Sequence, residues 1–344
     1  MNRPRGPGRL RALARTLARV AARALTAQLL RWLLSLVRIG RDAAAAALAN
    51  RTATSSVLGE APVVVSLASH GRRLRTVHLA VEAIAAGTVR PHRLVLWVPD
   101  AAVVADPPPP LARLVARGLE LRRADPDRGP HNKYWHHVVS CAHHELPLVT
   151  ADDDVLYGPA WLEQLLAAHA RHPQDVVAHR AHRIRLEEGR VLPYAQWGPA
   201  VPGTLSRRTF AIGLSGVLYP PRVLDALREA GPAFERCCPR ADDVWLHATA
   251  LRLGVPVRPV ADGATTYPAV PGTVWGGLWP HNVLGGGNDA QVAATYTPED
   301  VAALWRDQLA TEGPVPRLRP RPRERGAGRG GPRGVRGPRT PEPR

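Results

Sequence analysis

Two short apolar runs constrain the fold of this chain more than anything else in it. Residues 61–67 (Ala-Pro-Val-Val-Val-Ser-Leu) and 93–98 (Arg-Leu-Val-Leu-Trp-Val) are aliphatic and β-branched, and they read as buried strands. Residues 74–86 between them have helical spacing. Strand, helix and strand within about 35 residues make a βαβ unit, which argues for a parallel sheet. Ligands of such sheets gather beyond the carboxyl ends of the strands. The loop 68–73 and the strand end at Asp100 are therefore candidate ligand walls.

The later pattern continues in the same style. Strands are expected near 119–122, 146–150, 176–178 and 255–260, and helices at 111–117, 159–172, 222–229 and 298–310. A turn at 127–135 should enter a helix running to about His144, and residues 210–221 form an apolar stretch containing glycine. The fold class is α/β, with a mostly parallel central sheet flanked by helices over residues 61–312.

The strand ending at Thr150 delivers three consecutive carboxylates, Asp152, Asp153 and Asp154. Like charges side by side repel, and burying them unpaired is costly. A bound cation is one explanation, since carboxylate oxygens suit Mg²⁺ or Mn²⁺ and such an ion commonly shares its shell with substrate phosphates. A solvated acidic turn or a helix N-cap is the other. A second acidic cluster, Asp242-Asp243, opens a helix expected to run through Leu253.

Charge and cysteine content narrow the class. Residues 1–41 hold ten Arg and no acid, and residues 317–344 hold ten Arg and two Glu, so the two ends account for the net charge of +17 and the middle is nearly neutral. A specific nucleic-acid interface would want a basic face on the folded part. Arg replaces Lys almost everywhere, which makes the single lysine, Lys133, conspicuous. Cys141, Cys237 and Cys238 form neither a disulfide framework nor a zinc spacing, and a reducing compartment fits them best.

Residues 9–38 read as a basic amphipathic helix, interrupted by Arg23 and Arg31 and so unlike a membrane span. It suits an anionic membrane surface, or packing on its own domain or on a partner. An Ala-rich connector is expected over 42–60, closing a first segment of about 1–50. The Pro/Arg/Gly tail 313–344 has the composition of a disordered segment.

With both acidic clusters placed, the chain resembles a nucleotide-sugar glycosyltransferase of the GT-A, Rossmann-like fold, similar to bacterial family-two-like transferases of polysaccharide loci. The stretches that carry the resemblance are 64–72, 129–134, 150–157, 215–221, 241–246 and 288–291, in order across about 61–310. The resemblance implies that Asp152, Asp153 and Asp154 act as a DxD-type motif holding Mn²⁺ or Mg²⁺ on the donor diphosphate, with His281 a further metal or phosphate contact. It implies that Ser66, Ala68, His70, Arg72 and Asp100 hold the nucleotide, and that His131 and Lys133 face the diphosphate or base. Asp243, with Asp242 as the alternative, would be the base that deprotonates the acceptor hydroxyl of an inverting reaction. Gly216 and Trp245 would line the acceptor. The triplet departs from the family's usual apolar–Asp–x–Asp spelling.

The expected function is metal-dependent transfer of a sugar to a hydroxyl of a carbohydrate or lipid-linked acceptor, in cell-surface polysaccharide or glycolipid synthesis. The expected location is cytoplasmic and peripheral on the inner face of the membrane. The rival class is an Arg-tailed membrane- or nucleic-acid-associated binding protein with a non-catalytic core, its phosphate attraction blind to sequence. A nucleotidyl- or phosphotransferase is disfavoured because no Gly-x-x-x-x-Gly-Lys-Ser/Thr loop occurs.

Overall fold

The computed structural model describes residues 7–200, 205–260, 265–273, 282–283 and 285–312, with side chains inside the first helix from residue 24 onward. His281, the tail 313–344 and most of the Gly-rich tract at 275–289 fall outside the described residues.

The chain opens with α1 (Pro7–Thr52). The expected connector does not begin at 42. The Ala-rich stretch has the strongest intrinsic helix preference, and Ala46 and Asn50, four residues apart, share the face that packs on the domain. Then come β1 (Ala61–Ala68), α2 (Val77–Ala85), β2 (Pro91–Val98), α3 (Ala101–Ala105), α4 (Pro109–Ala116), β3 (Glu120–Arg123), α5 (Trp135–Val138) and β4 (Leu148–Ala151). Next are α6 (Trp161–Arg171), β5 (Val176–Ala178), β6 (Ala181–Arg183), β7 (Leu186–Glu187), β8 (Arg190–Val191), β9 (Gly198–Pro199), β10 (Thr209–Ala211) and β11 (Val217–Tyr219). The described chain closes with α7 (Pro221–Ala230), α8 (Phe234–Cys237), α9 (Asp242–Arg252), β12 (Val257–Pro259), α10 (Gly287–Thr295) and α11 (Pro298–Glu312).

The central sheet among the described residues runs β12-β5-β11-β4-β1-β2-β3. All its pairings are parallel except those of β11, which lies antiparallel between β4 and β5. Both faces are covered. Val63, Val65 and Leu67 of β1 join a core with α2, α4 and α6, while Val64 joins the opposite core with α5, α7 and α9. That explains why β1 is apolar throughout rather than alternating.

The structure departs from the sequence pattern in two places. The helix expected to reach His144 stops at Val138, and the chain beyond it is tied to α7, where the Asp225 carboxylate takes both the backbone N–H and the ring Nδ1 of His144, at 3.1 and 2.6 Å. The apolar stretch 210–221 is two strands in two sheets, β10 pairing with β6 and β11 with β4, separated by a turn ending at Gly216 (φ 92°). The β7–β8 hairpin turns on Glu188 and Gly189, both at positive φ, as a two-residue type I′ connection requires.

Candidate active site

The site is assembled at the carboxyl edge of β1 and β4. These strands are in register, Ser66 opposite Thr150 and Leu67 opposite Ala151, so both chains leave the sheet together. Asp152–Asp154 emerge beside Ser69. The Ser69 hydroxyl donates to Asp153 Oδ2 at 2.5 Å. A single turn at Gly71–Arg75, entered through Gly71 at φ 55°, carries Arg73 over the triplet. There Arg73 meets Asp153 Oδ1 at 2.6 Å and Asp154 Oδ2 at 2.8 Å. The Asp152 N–H donates to the Tyr157 hydroxyl at 2.8 Å. A bridge between Val155 and Ala269, with the Val270 N–H donating to the Asp154 carbonyl at 2.7 Å, fixes the backbone of the triplet.

The second cluster arrives from the opposite core. Asp242 and Asp243 are the first two residues of α9, where the helix dipole favours negative charge. Lys133 ends a turn at Gly129–Lys133 and joins the two clusters: its Nζ lies 2.9 Å from Asp152 Oδ1 and 3.0 Å from Asp242 Oδ2. Burial would lower the Lys133 ammonium, but the charges of Asp152, Asp242 and Asp243 outweigh it and hold the pKa well above the ordinary range. Asp243 accepts the Gly213 N–H on both oxygens at 3.1 Å. A Cβ at Gly213 would stand 2.8 Å from Asp243 Oδ1, so the backbone approach requires glycine.

The cluster has more negative charge than its own cations neutralise, with five carboxylates facing Arg73 and Lys133. Burial, then the charge of Asp152, pushes Asp154 up to about 6 despite Arg73. Burial, then the charge of Asp242, pushes Asp243 up to about 7 against Lys133 and the Gly213 N–H. Such excess negative charge fits a divalent cation, and hard oxygen donors suit Mg²⁺ or Mn²⁺. Within the triplet, Asp153 already has both oxygens engaged, whereas Asp152 and Asp154 each hold an ion pair through one oxygen. Among the described residues no three His, Cys, Asp or Glu side chains converge as a preformed ligand set.

No protein-family model and no curated protein sequence matches this chain. Similar solved structures do exist. One is residues 1–349 of S. aureus TarS, 10% identical, covering 73% of this chain and 72% of that one at a TM-score of 0.41. Another is the mannosyltransferase PcManGT from Pyrobaculum calidifontis in complex with GDP-Man and Mn²⁺, 14% identical, covering 81% and 80% at 0.45. A third is GalNAc-T7 with UDP, GalNAc and Mn²⁺, 10% identical, covering 57% and 41% at 0.38.

The structure brings Asp152, Asp153, Asp154, Lys133, Asp242 and Asp243 together. It places several other expected residues elsewhere. His131 is fully buried, stacked on Phe234 at 4.0 Å between ring centroids, with its nitrogens 2.8 Å from the Tyr134 hydroxyl and the Cys238 carbonyl. Burial lowers its pKa to about 4, so it is a neutral core group and not a diphosphate contact. Ser66 is wholly buried and accepts the Trp97 indole N–H at 3.1 Å. Gly216 is required by the core, since a Cβ there would lie 2.6 Å from Trp161 Nε1. Trp245 is likewise buried, against Phe234 and Arg252. Asp100 caps α3 by accepting the Ala102 N–H at 2.9 Å. Ala68, His70 and Arg72 stand at the same strand edge, half-buried for Ala68 and exposed for the other two.

Ser69, Arg73, Tyr157 and Gly213 contact the aspartates and were not singled out in the sequence, although Ser69 and Arg73 lie in the loop 68–73 expected to wall the ligand. Arg73 is one of 45 arginines in a chain biased toward them, so its type carried no signal. Gly213 had one, as a glycine shortly before a strand.

Proposed function

We propose that this chain transfers a sugar from a nucleotide-diphosphate donor to a hydroxyl acceptor, with inversion. The observation that carries the reading is the pairing of two carboxylate clusters from opposite cores through Lys133, one of them holding a carboxylate poised near neutral pH. An acid and a base of different environment in one site is the arrangement that proton-removing chemistry needs.

Asp152 and Asp154 are the residues that would hold Mn²⁺ or Mg²⁺, which supplies Lewis-acid neutralisation of the diphosphate leaving group. Ser69 and Arg73 orient the triplet. Asp243, fixed by the Gly213 N–H, takes the proton of the acceptor hydroxyl as that oxygen attacks the anomeric carbon. Lys133 keeps Asp152 and Asp242 from repelling one another and favours the ionised form of Asp243. Ala68, His70 and Arg72, at the edge of β1, border the nucleotide.

The location belongs to the same proposal. Leu25, Leu29, Leu30, Trp32, Leu33, Leu34, Leu36 and Val37 are exposed on α1, beside Arg31 and Arg38. Apolar and basic side chains on one solvent-facing helix suit an anionic membrane surface. No helix among the described residues is long and apolar enough to cross a membrane. A cell-surface polysaccharide or glycolipid pathway would use such a peripheral enzyme.

The test is turnover of UDP-, GDP- and dTDP-sugars with and without Mn²⁺, by the full chain and by Asp154→Ala and Asp243→Asn. Each variant should lose transfer or donor hydrolysis by about two to four orders of magnitude while keeping its circular dichroism. Wild-type turnover by both variants would sink the proposal. Deleting residues 1–41 should weaken binding to phosphatidylserine vesicles; unchanged binding would remove the membrane location.

A further inference from the structure

A cleft of ≈ 390 Å³ opens between the β7–β8 hairpin and helices α10 and α11. Its walls are largely hydrocarbon, supplied by Val191, Leu192, Pro193, Val292, Tyr296 and Val301. The polar groups around it are already engaged or at the mouth. Asp289 Oδ1 accepts the Tyr194 N–H at 2.6 Å. The Tyr296 hydroxyl lies 2.6 Å from His247 Nδ1 in the core, so its polar end is spent there. Arg190, at the end of the hairpin, is exposed. A concave surface of this kind gains free energy by exchanging water for hydrocarbon.

Its position matters as much as its lining. Tyr194 follows the cleft wall directly in sequence and is tied to it through Asp289. The ring of the same tyrosine packs edge-on against Phe210, 6.2 Å between centroids, and Phe210 leads in three residues to Gly213, whose N–H meets Asp243. Burial and then the charge of Asp243 raise its phenol. The cleft and the carboxylate pair therefore lie on two sides of one residue.

We infer that this cleft seats the hydrocarbon chain of an amphiphilic acceptor, an acyl or prenyl tail. Its hydroxyl-bearing head reaches past Tyr194 to Asp243. Arg190 at the mouth suits an anionic head such as a phosphate. This deepens the transferase proposal and rests on its assignment of Asp243.

The probe is a series of n-alkyl phosphates from butyl to decyl, each below its micellar concentration, titrated calorimetrically into the full chain. Affinity should rise about three- to fourfold per added methylene, the factor equivalent to ~0.8 kcal/mol of buried CH₂. Ala293→Trp, at an exposed position of α10 that borders the cleft, should flatten the series. Val301→Phe on α11 supplies a second obstruction from the other wall. A flat series in the unaltered chain overturns the inference. So does an unchanged slope in both variants, which would assign the binding to the apolar face of α1. Donor hydrolysis without acceptor separates the two proposals. A chain-length series that Ala293→Trp abolishes, in a protein whose Asp243→Asn variant hydrolyses donor like wild type, keeps the cleft and removes the base.

Discussion

Asp243 is held ionisable by opposing neighbours: burial and Asp242 raise it, and Lys133 and the Gly213 N–H lower it. A base works only when ionised, so kcat/KM should rise with pH through about 7. Gly213→Ala would push the carboxylate off the single N–H that both its oxygens accept and take away part of what favours its charge. The acid limb of the profile should move to higher pH, read from kcat/KM between pH 5 and 9. An unmoved limb would separate Gly213 from the base. Asp154 has the opposite consequence for stability. Its folded pKa of about 6 lies above the ordinary 3.8. Its contribution is therefore complete below about 4 and is lost as pH rises through about 6. Asp154→Asn should melt higher than wild type at pH 8, by on the order of 1–2 kcal/mol or a few degrees, and the gap should narrow through pH 5 and close below about pH 4. Equal melting temperatures at both pH values would contradict this. At this scale the sequence was legible where residue type is rare. Two acidic clusters and a lone lysine stood out and do meet. His131 and Gly216 also stood out by type, but their partners are Phe234, Cys238 and Trp161, which no local pattern reveals.

Among the elements, α1 divides into two parts. Residues 24–38 are largely exposed, whereas the C-terminal end is bound into the domain. Asn50 donates to Glu82 Oε1 and to the Pro110 carbonyl, both at 3.1 Å, and accepts from Arg113. Arg117 pairs with the same Glu82 at 2.6 Å. Removing residues 1–38 should leave the melting temperature within about 1 °C of wild type, while removal through 52 should lower it by several degrees. Asn50→Ala alone should cost about 1–3 kcal/mol in urea unfolding, because it leaves buried polar groups of Glu82 and Arg113 short of a partner. A truncation through 52 that melts like wild type would refute the division. The strands and most helices of the βαβ region were legible because period and length agree there. The extension of α1 was hidden because alanine marks no face. The early end of α5 was hidden, and the contact that holds the chain beyond it, His144 to Asp225, spans 81 residues.

For the whole molecule, the α/β layout with a mostly parallel sheet followed from the opening unit and the spacing of later strands. The antiparallel strand did not, since a three-residue strand carries no sign of its direction. Its placement has a bearing on how the chain is made. β11 fills the gap between β4 and β5, so the first half to leave the ribosome carries β3, β2, β1 and β4 with one edge of β4 unpaired. An unpaired edge is a template for another chain. Asp152–Asp154, just past the end of that strand, place charge next to it before residues 217–219 are synthesised. The same carboxylates that later crowd the site sit at the end of that edge, and a chain ending before residue 217 leaves the β4 edge without its partner strand.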